Sequence, residues 1–180
     1  IKFKEWFDLA TEKEINDPNA MCLSTVDDKN TPHSRMVLLK DYNDEGFIFY
    51  TNYESNKGND IIKNANVCLN FHWKSLLRQI RIEGKVEKVS NETSDKYFNS
   101  RHYLSRIGAW ASNQSKVLKS RDDLENKIEF YKNKYPEKEN FPRPDYWGGF
   151  IVKYSKIEFW EDMPHRIHKR EVFEFKDNDW

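Results

Sequence analysis

Residues 34–40 read SRMVLLK, with a cation at each end of the apolar run Met36, Val37, Leu38 and Leu39. Arginine and lysine bind anions, and a short unbroken apolar run is the pattern of a strand buried on both faces. Alternation along a regular strand sends Arg35 to the side of Val37 and Leu39, and Lys40 to the side of Met36 and Leu38. The two cations therefore do not grip one anion. Either they are unrelated surface charges, the usual fate of such residues, or they serve two separate anionic groups.

A second constellation lies in KYFNSRHYLSR, residues 96–106. Tyr97, Arg101 and Ser105 recur at every fourth position. On one helix this spacing aligns a phenol, a guanidinium and a hydroxyl in a stripe that would cradle a phosphate. An ordinary polar helix face has the same spacing. Gln114 and Ser115 offer adjacent polar groups after the apolar IGAWAS, where a loop or helix start would read the same way. Gln79 and Arg81 share one strand face, as would two solvent-facing residues. In EFWEDMPHRIHKR, residues 158–170, the side chains of Arg166, His168 and Arg170 share parity. On one strand they form either a basic, hydrogen-bonding wall or a charged edge. His165 and His168 have HxxH spacing but no third ligand and a strand-and-turn context, so no metal is expected. The chain has no Walker A, GxGxxG or GxSxG motif. Scattered cations and amides on strands, with flat aromatics nearby, suit a phosphorylated planar ligand better than hydrolysis.

The elements that must position these groups can be read from periodicity. Phe3, Trp6, Phe7 and Ala10 mark a helix over residues 1–16, ended by NDPN. AMCLSTV (20–26), residues 33–41 and FIFYT (47–51) read as three strands joined by turns, an antiparallel meander. A short helix starts near Ser55. NVCLNFHW (66–73) is a fourth strand and residues 77–90 a long fifth one, with Gly84 marking a bend or bulge. Residues 91–135 are mostly helical, and 147–160 and 166–175 are two closing strands. Six or seven mostly antiparallel strands with helical connections point to an α+β, mainly β, small barrel or curled sheet, because closure removes exposed edges.

The 180 residues fit one domain, which at this size needs no staples. Thirty basic and thirty acidic residues balance, so a bulk polyanion binder is excluded, no nucleic-acid partner is expected, and any anion site is local. Cys22 and Cys68 lie in apolar, strand-like stretches without metal-ligand spacing, so they are expected to be buried free thiols in a reducing cytoplasm. No apolar run is long enough to span a bilayer. No secretory signal is visible, although a chain starting at Ile1 rather than Met leaves an upstream segment open.

Eight segments carry a family resemblance through their order and spacing: SRMVLLK, FIFYTNYESNKG, RQIRIEG, YFNSR, IGAWASNQS, WGGF, IEFW and HRIHKR. From about Ala20 to Trp180 the chain resembles pyridoxine (pyridoxamine) 5′-phosphate oxidase. The resemblance implies an FMN-binding split β-barrel occupying residues 1–180 and a homodimer with FMN at the subunit interface. It implies oxidation of pyridoxine or pyridoxamine 5′-phosphate to pyridoxal 5′-phosphate, with hydride passing from C4′ to flavin N5. Oxygen is reduced to hydrogen peroxide. By motif, Arg35 and Lys57 would hold the FMN phosphate, Met36, Val37, Leu38, Leu39 and Lys40 would run along the cofactor, and Tyr50 and Thr51 would touch it. Gln79, Gln114, Ser115, Trp160 and Arg170 would complete that site, some of them from the partner subunit. Lys40, Tyr97, Arg101 and Ser105 would bind the substrate phosphate, and Arg166 and His168 would lie against the substrate ring and its reacting carbon as the catalytic pair.

The chain departs from the family pattern at Asn56, where arginine is frequent beside Lys57, and at Lys169, where an acid is common. The family's N-terminal lid segment and the end of its C-terminal tail are absent or short. Two alternatives stand beside this reading. One is an FMN split-barrel oxidoreductase with another substrate, which would not need the Tyr97, Arg101 and Ser105 stripe. The other is a flavin- or pyridoxal-phosphate-binding protein without turnover.

Overall fold

The computed structural model describes residues 2–137 and 140–175. Helix α1 (Lys2–Lys13) buries Phe3, Trp6 and Ala10, the stripe that its 3- and 4-residue spacing dictates. Strand β1 (Ala20–Val26) alternates strictly, with Met21, Leu23 and Thr25 inward. It pairs with β2 (Pro32–Leu38) on one side and with β5 (Asn66–Trp73) on the other. Strands β6 (Arg78–Lys88) and β7 (Trp147–Glu161) follow, and then β4 (Gly46–Asn52) and the short β3 (Asp41–Asn43). Strand β8 (Lys169–Glu174) pairs with the far half of β7. Every pairing is antiparallel.

Main-chain bonds at Leu39 and Lys40 curl this sheet. The Leu39 amide donates to Asn19 O at 2.8 Å beside β1, and the Lys40 amide donates to Ile48 O at 2.9 Å in β4. Two successive residues thus tie opposite ends of the strand order together. The strand expected over 33–41 is split at this point into β2 and β3, because each amide finds a different partner strand. The barrel interior holds Leu23, Leu69, Phe71, Ile80, Ile82, Phe49 and Val152, with α1 closing one end through Phe3 and Trp6. β7 is the spine, pairing with β4 through residues 147–152 and with β6 through 150–161. The expected irregularity at Gly84 is a register shift between Glu83 and Gly84, where a Cβ would overlap the Lys153 carbonyl.

Helix α2 (Asn56–Lys63) starts at its N-cap Ser55. Helices α3 (Asn91–Ser100), α4 (Tyr103–Ala111) and α5 (Arg121–Lys134) form the helical connection, whose own core is Phe98, Ile107, Phe141 and Trp147. Three expectations are corrected. There are eight strands among the described residues, the extra one being the three-residue β3. The closing segment expected from 166 is strand only over Lys169–Glu174, since Pro164–Arg166 is a 3-10 turn. Cys22 and Cys68 are free but only half-buried, because alternation turns both to the outer face of the sheet.

Candidate functional site

A cleft of about 580 Å³ opens where β2, β4, α2 and the helical connection meet. Its floor is the outward side of β2, where Met36 and Leu38 are exposed although strongly apolar. Lys40 lies just past the end of β2 and lines the same cleft, so it falls with Met36 and Leu38 as strand parity requires. Leu39 turns the other way and is buried in the barrel.

Lys57 stands in the first turn of α2 and is only 8% exposed. Its ammonium donates to Thr51 Oγ1 at 3.3 Å and Ser55 Oγ at 3.2 Å, both neutral hydroxyls. Among the described residues it makes no ion pair with a carboxylate. Burial, and then the nearby Arg35, hold the ammonium below the usual lysine range. A buried cation without a counter-charge is costly, and an anion from outside the chain would remove that cost. Arg35 is placed differently. Its Nη1 donates to Thr25 Oγ1 at 2.7 Å, His33 O at 3.1 Å and Leu23 O at 3.2 Å, and its Nη2 lies 3.7 Å from Asp60. It borders Lys57 electrostatically but does not line the cleft.

The opposite wall is aromatic. Tyr50 of β4 stacks on Tyr97 of α3, with ring centroids 3.8 Å apart, and on Trp147 of β7 at 5.7 Å. Gly149 makes room for this stack, since a Cβ there would lie 2.7 Å from the Tyr50 ring. Burial, and then Tyr97, push the Tyr50 phenol up to about 12, so it stays a neutral donor at physiological pH. The Arg101 guanidinium covers Trp147 at 4.5 Å, and its buried Nη1 has no hydrogen-bond partner among the described residues. An unsatisfied buried donor of a charged group marks a place where a ligand acceptor fits.

Tyr97, Arg101 and Ser105 all line the cleft, but not as one helical stripe. α3 ends at Ser100, Arg101 is extended (φ −76°, ψ 152°), and α4 begins at Tyr103. The break brings the three groups together across a corner. Gln114 reaches the cleft and accepts from Thr51 Oγ1 at 3.3 Å. Ser115, with φ 65°, lines a separate groove formed by residues 111–127. Three lining residues escaped the sequence reading as site residues: Asn52, His102 and Trp147. Asn52 and Trp147 had a visible signal, the FIFYTNYESNKG and WGGF motifs, and His102 had none of that kind.

The remaining candidates gather elsewhere. Gln79, Trp160 and Arg170 lie side by side in register across β6, β7 and β8. The His168 ring is 4.8 Å from Trp160, and its Nδ1 lies 2.7 Å from Asp162 Oδ1, the shorter of its two polar contacts. Arg170 donates to Glu158 at 3.0 Å. Arg166 does not continue the strand with His168 and Arg170, as parity suggested; it sits in the 3-10 turn with φ 61°. None of these five lines the cleft of the same chain. No helix among the described residues is long and apolar enough to cross a membrane.

Comparisons with known proteins bear on both groups. Residues 7–134 match the family model described as pyridoxamine 5′-phosphate oxidase. Residues 147–180 match one described as the pyridoxine 5′-phosphate oxidase C-terminal dimerisation region. The chain is 54% identical over 168 residues to the pyridoxine/pyridoxamine 5′-phosphate oxidase of Pelagibacter ubique, covering 93% of this chain and 81% of that one. It is 57% identical over 171 residues to that of Bartonella quintana, covering 95% and 82%. In structure it is similar to PhzG of Burkholderia lata, solved with tetrahydrophenazine-1-carboxylic acid, at TM-score 0.92 and 26% identity over 99% of this chain and 87% of that one.

Proposed function

The chain belongs to the pyridoxamine 5′-phosphate oxidase family, and from that premise we propose how its two groups of residues divide the oxidation of pyridoxine or pyridoxamine 5′-phosphate to pyridoxal 5′-phosphate. The observation that carries the reading is the cleft itself. It joins an exposed apolar strand face, a buried Lys57 with only hydroxyl partners, and an Arg101 donor with none. These features fit two phosphorylated, flat molecules, FMN and the B6 substrate.

FMN, when bound, supplies the two-electron acceptor, and oxygen receives those electrons onward. Lys57, backed by the charge of Arg35, holds the cofactor phosphate; Thr51, Tyr50 and Gln114 hold polar edges, and the β2 face from Met36 to Leu38 supports the ring. Lys40, Tyr97, Arg101 and Ser105 take the substrate phosphate. Its charge there is fixed by cations that need not reorganise, which is positioning catalysis. In a homodimer the second group comes from the partner subunit and closes over the cleft. Trp160, Gln79, Ser115 and Arg170 then complete the cofactor site, while Arg166 and His168 face the substrate ring and exclude water from it. The Asp162 carboxylate and the Met163 amide both contact His168 Nδ1 and hold the ring in place beside Trp160.

The test is anaerobic addition of pyridoxine 5′-phosphate to the FMN-loaded protein while flavin absorbance is followed. Bleaching that air reverses is the expected result. A flavin that binds and never bleaches, with the amine substrate as well, overturns the oxidase reading.

A further inference from the structure

His102 lines the cleft between Arg101 and Ser105, and the assignment above gives it no task. It stands at the corner where α3 has ended and α4 has not begun, with φ −54° and ψ 139°. Its side chain caps α4, accepting the Leu104 amide at Nδ1 over 3.3 Å. A neutral imidazole that accepts at Nδ1 carries its proton on Nε2. Among the described residues, Nε2 has no hydrogen-bond partner. The ring is exposed, so a ligand in the cleft can reach it. The ionisable groups lining the cleft with it are Lys40, Lys57, Arg101, Tyr50 and Tyr97, and no carboxylate lines it. An anion held by Arg101 and Ser105 therefore meets a donor at His102 and no competing acid.

We propose that His102 is a further substrate-binding residue: with Nδ1 committed to the α4 cap, its Nε2–H donates to the phosphate of the B6 substrate. This rests on the reading of the cleft as the substrate-phosphate site. The cap makes the donor specific, since it sets both the tautomer and the direction in which the ring points. The contact favours phosphorylated over unphosphorylated substrate and leaves the cofactor unaffected.

Two near-isosteric substitutions separate the roles of the two ring nitrogens. His102→Asn places an amide at the Nδ1 position and keeps a good helix cap, but it leaves nothing at Nε2. His102→Gln places an amide N–H near the Nε2 position and gives up the cap. In the FMN-loaded enzyme, His102→Asn is expected to raise KM for pyridoxine 5′-phosphate about fivefold to tenfold, the loss of one donor to a charged acceptor. Its kcat, FMN affinity by fluorescence titration and melting temperature should stay near wild type. His102→Gln should keep KM and melt earlier. If KM rises with Gln and not with Asn, His102 is only a cap and the proposal falls. It falls equally if neither variant moves KM while Arg101→Ala does. If Arg101→Ala also leaves KM unchanged, the substrate-phosphate reading of the cleft fails first and this inference with it.

Discussion

On the proposed reading the cleft wall and the Pro164–Arg170 segment hold the two halves of one chemistry, and they are built in opposite ways. Lys57 and Arg101 of the cleft are held among packed side chains. Lys57 is buried in the first turn of a capped helix, and Arg101, at the break between α3 and α4, lies on a tryptophan within a three-ring stack. The other segment is exposed and irregular, with His165 and Arg166 both at φ 61°. Non-glycine residues in that region are strained, and they persist where surrounding structure holds them. On that reading the contrast places phosphate recognition within one chain. Arg166 and His168, proposed to face the reacting ring, lie just before β8, inside the stretch that matches the family's dimerisation region, and on that reading they act on a second chain.

The largest effect expected from this division comes from Arg166→Ala, which should lower kcat about 100-fold by loosening the substrate ring while FMN affinity stays within about twofold. Mixing that variant with Arg101→Ala breaks or sharpens the comparison directly. Each mixed dimer keeps one intact site, so random reassortment should restore about a quarter of wild-type activity. No recovery would show that both groups act within one chain. Arg101→Ala alone should raise KM about 30-fold, a charged hydrogen bond removed at a buried position. Activity assays at varied pyridoxine 5′-phosphate read both.

Lys57→Met should weaken FMN about tenfold in a fluorescence titration. It should also raise the melting temperature of the apoprotein, because it removes a buried cation with only neutral partners. A fall in apoprotein stability would mean that Lys57 serves the fold rather than an anion. The smallest effect concerns pH. The Tyr50 phenol is raised to about 12. Its proton is therefore held more tightly in the folded than in the unfolded chain. The stability it contributes is complete below the ordinary tyrosine value near 10 and is lost as pH rises through about 12. Tyr50→Phe should flatten that alkaline decline in a melting-temperature series.

Much of this was legible in the chain. The α1 stripe, the α2 start at Ser55 and the bulge at Gly84 follow from local sterics and periodicity, and the structure keeps all three. The breaks were not legible. Neither Pro nor Gly marks the end of α3, which stops before His102 because an imidazole serves as the next cap. Nothing in VLLK shows the strand ending at Leu38, since the partners of the next two amides come from Asn19 and Ile48. Nor does HRIH disclose two consecutive left-handed residues, for that conformation is normally the mark of glycine.

By itself, the sequence determined which side chains could hold an anion and, wherever a strand runs on regularly, which share a face, because alternation and charge are properties of neighbours. It placed Lys40 with Met36 and Leu38 before any fold was known. Only the tertiary structure decided that β2, β4, α3 and the start of β7 meet around one cleft, and that Arg166, His168, Trp160 and Gln79 stand apart from it. The physical reason is closure. Residues far apart in the chain become neighbours when the sheet curls, and that curl depends on main-chain bonds at Leu39 and Lys40 that no side-chain pattern encodes.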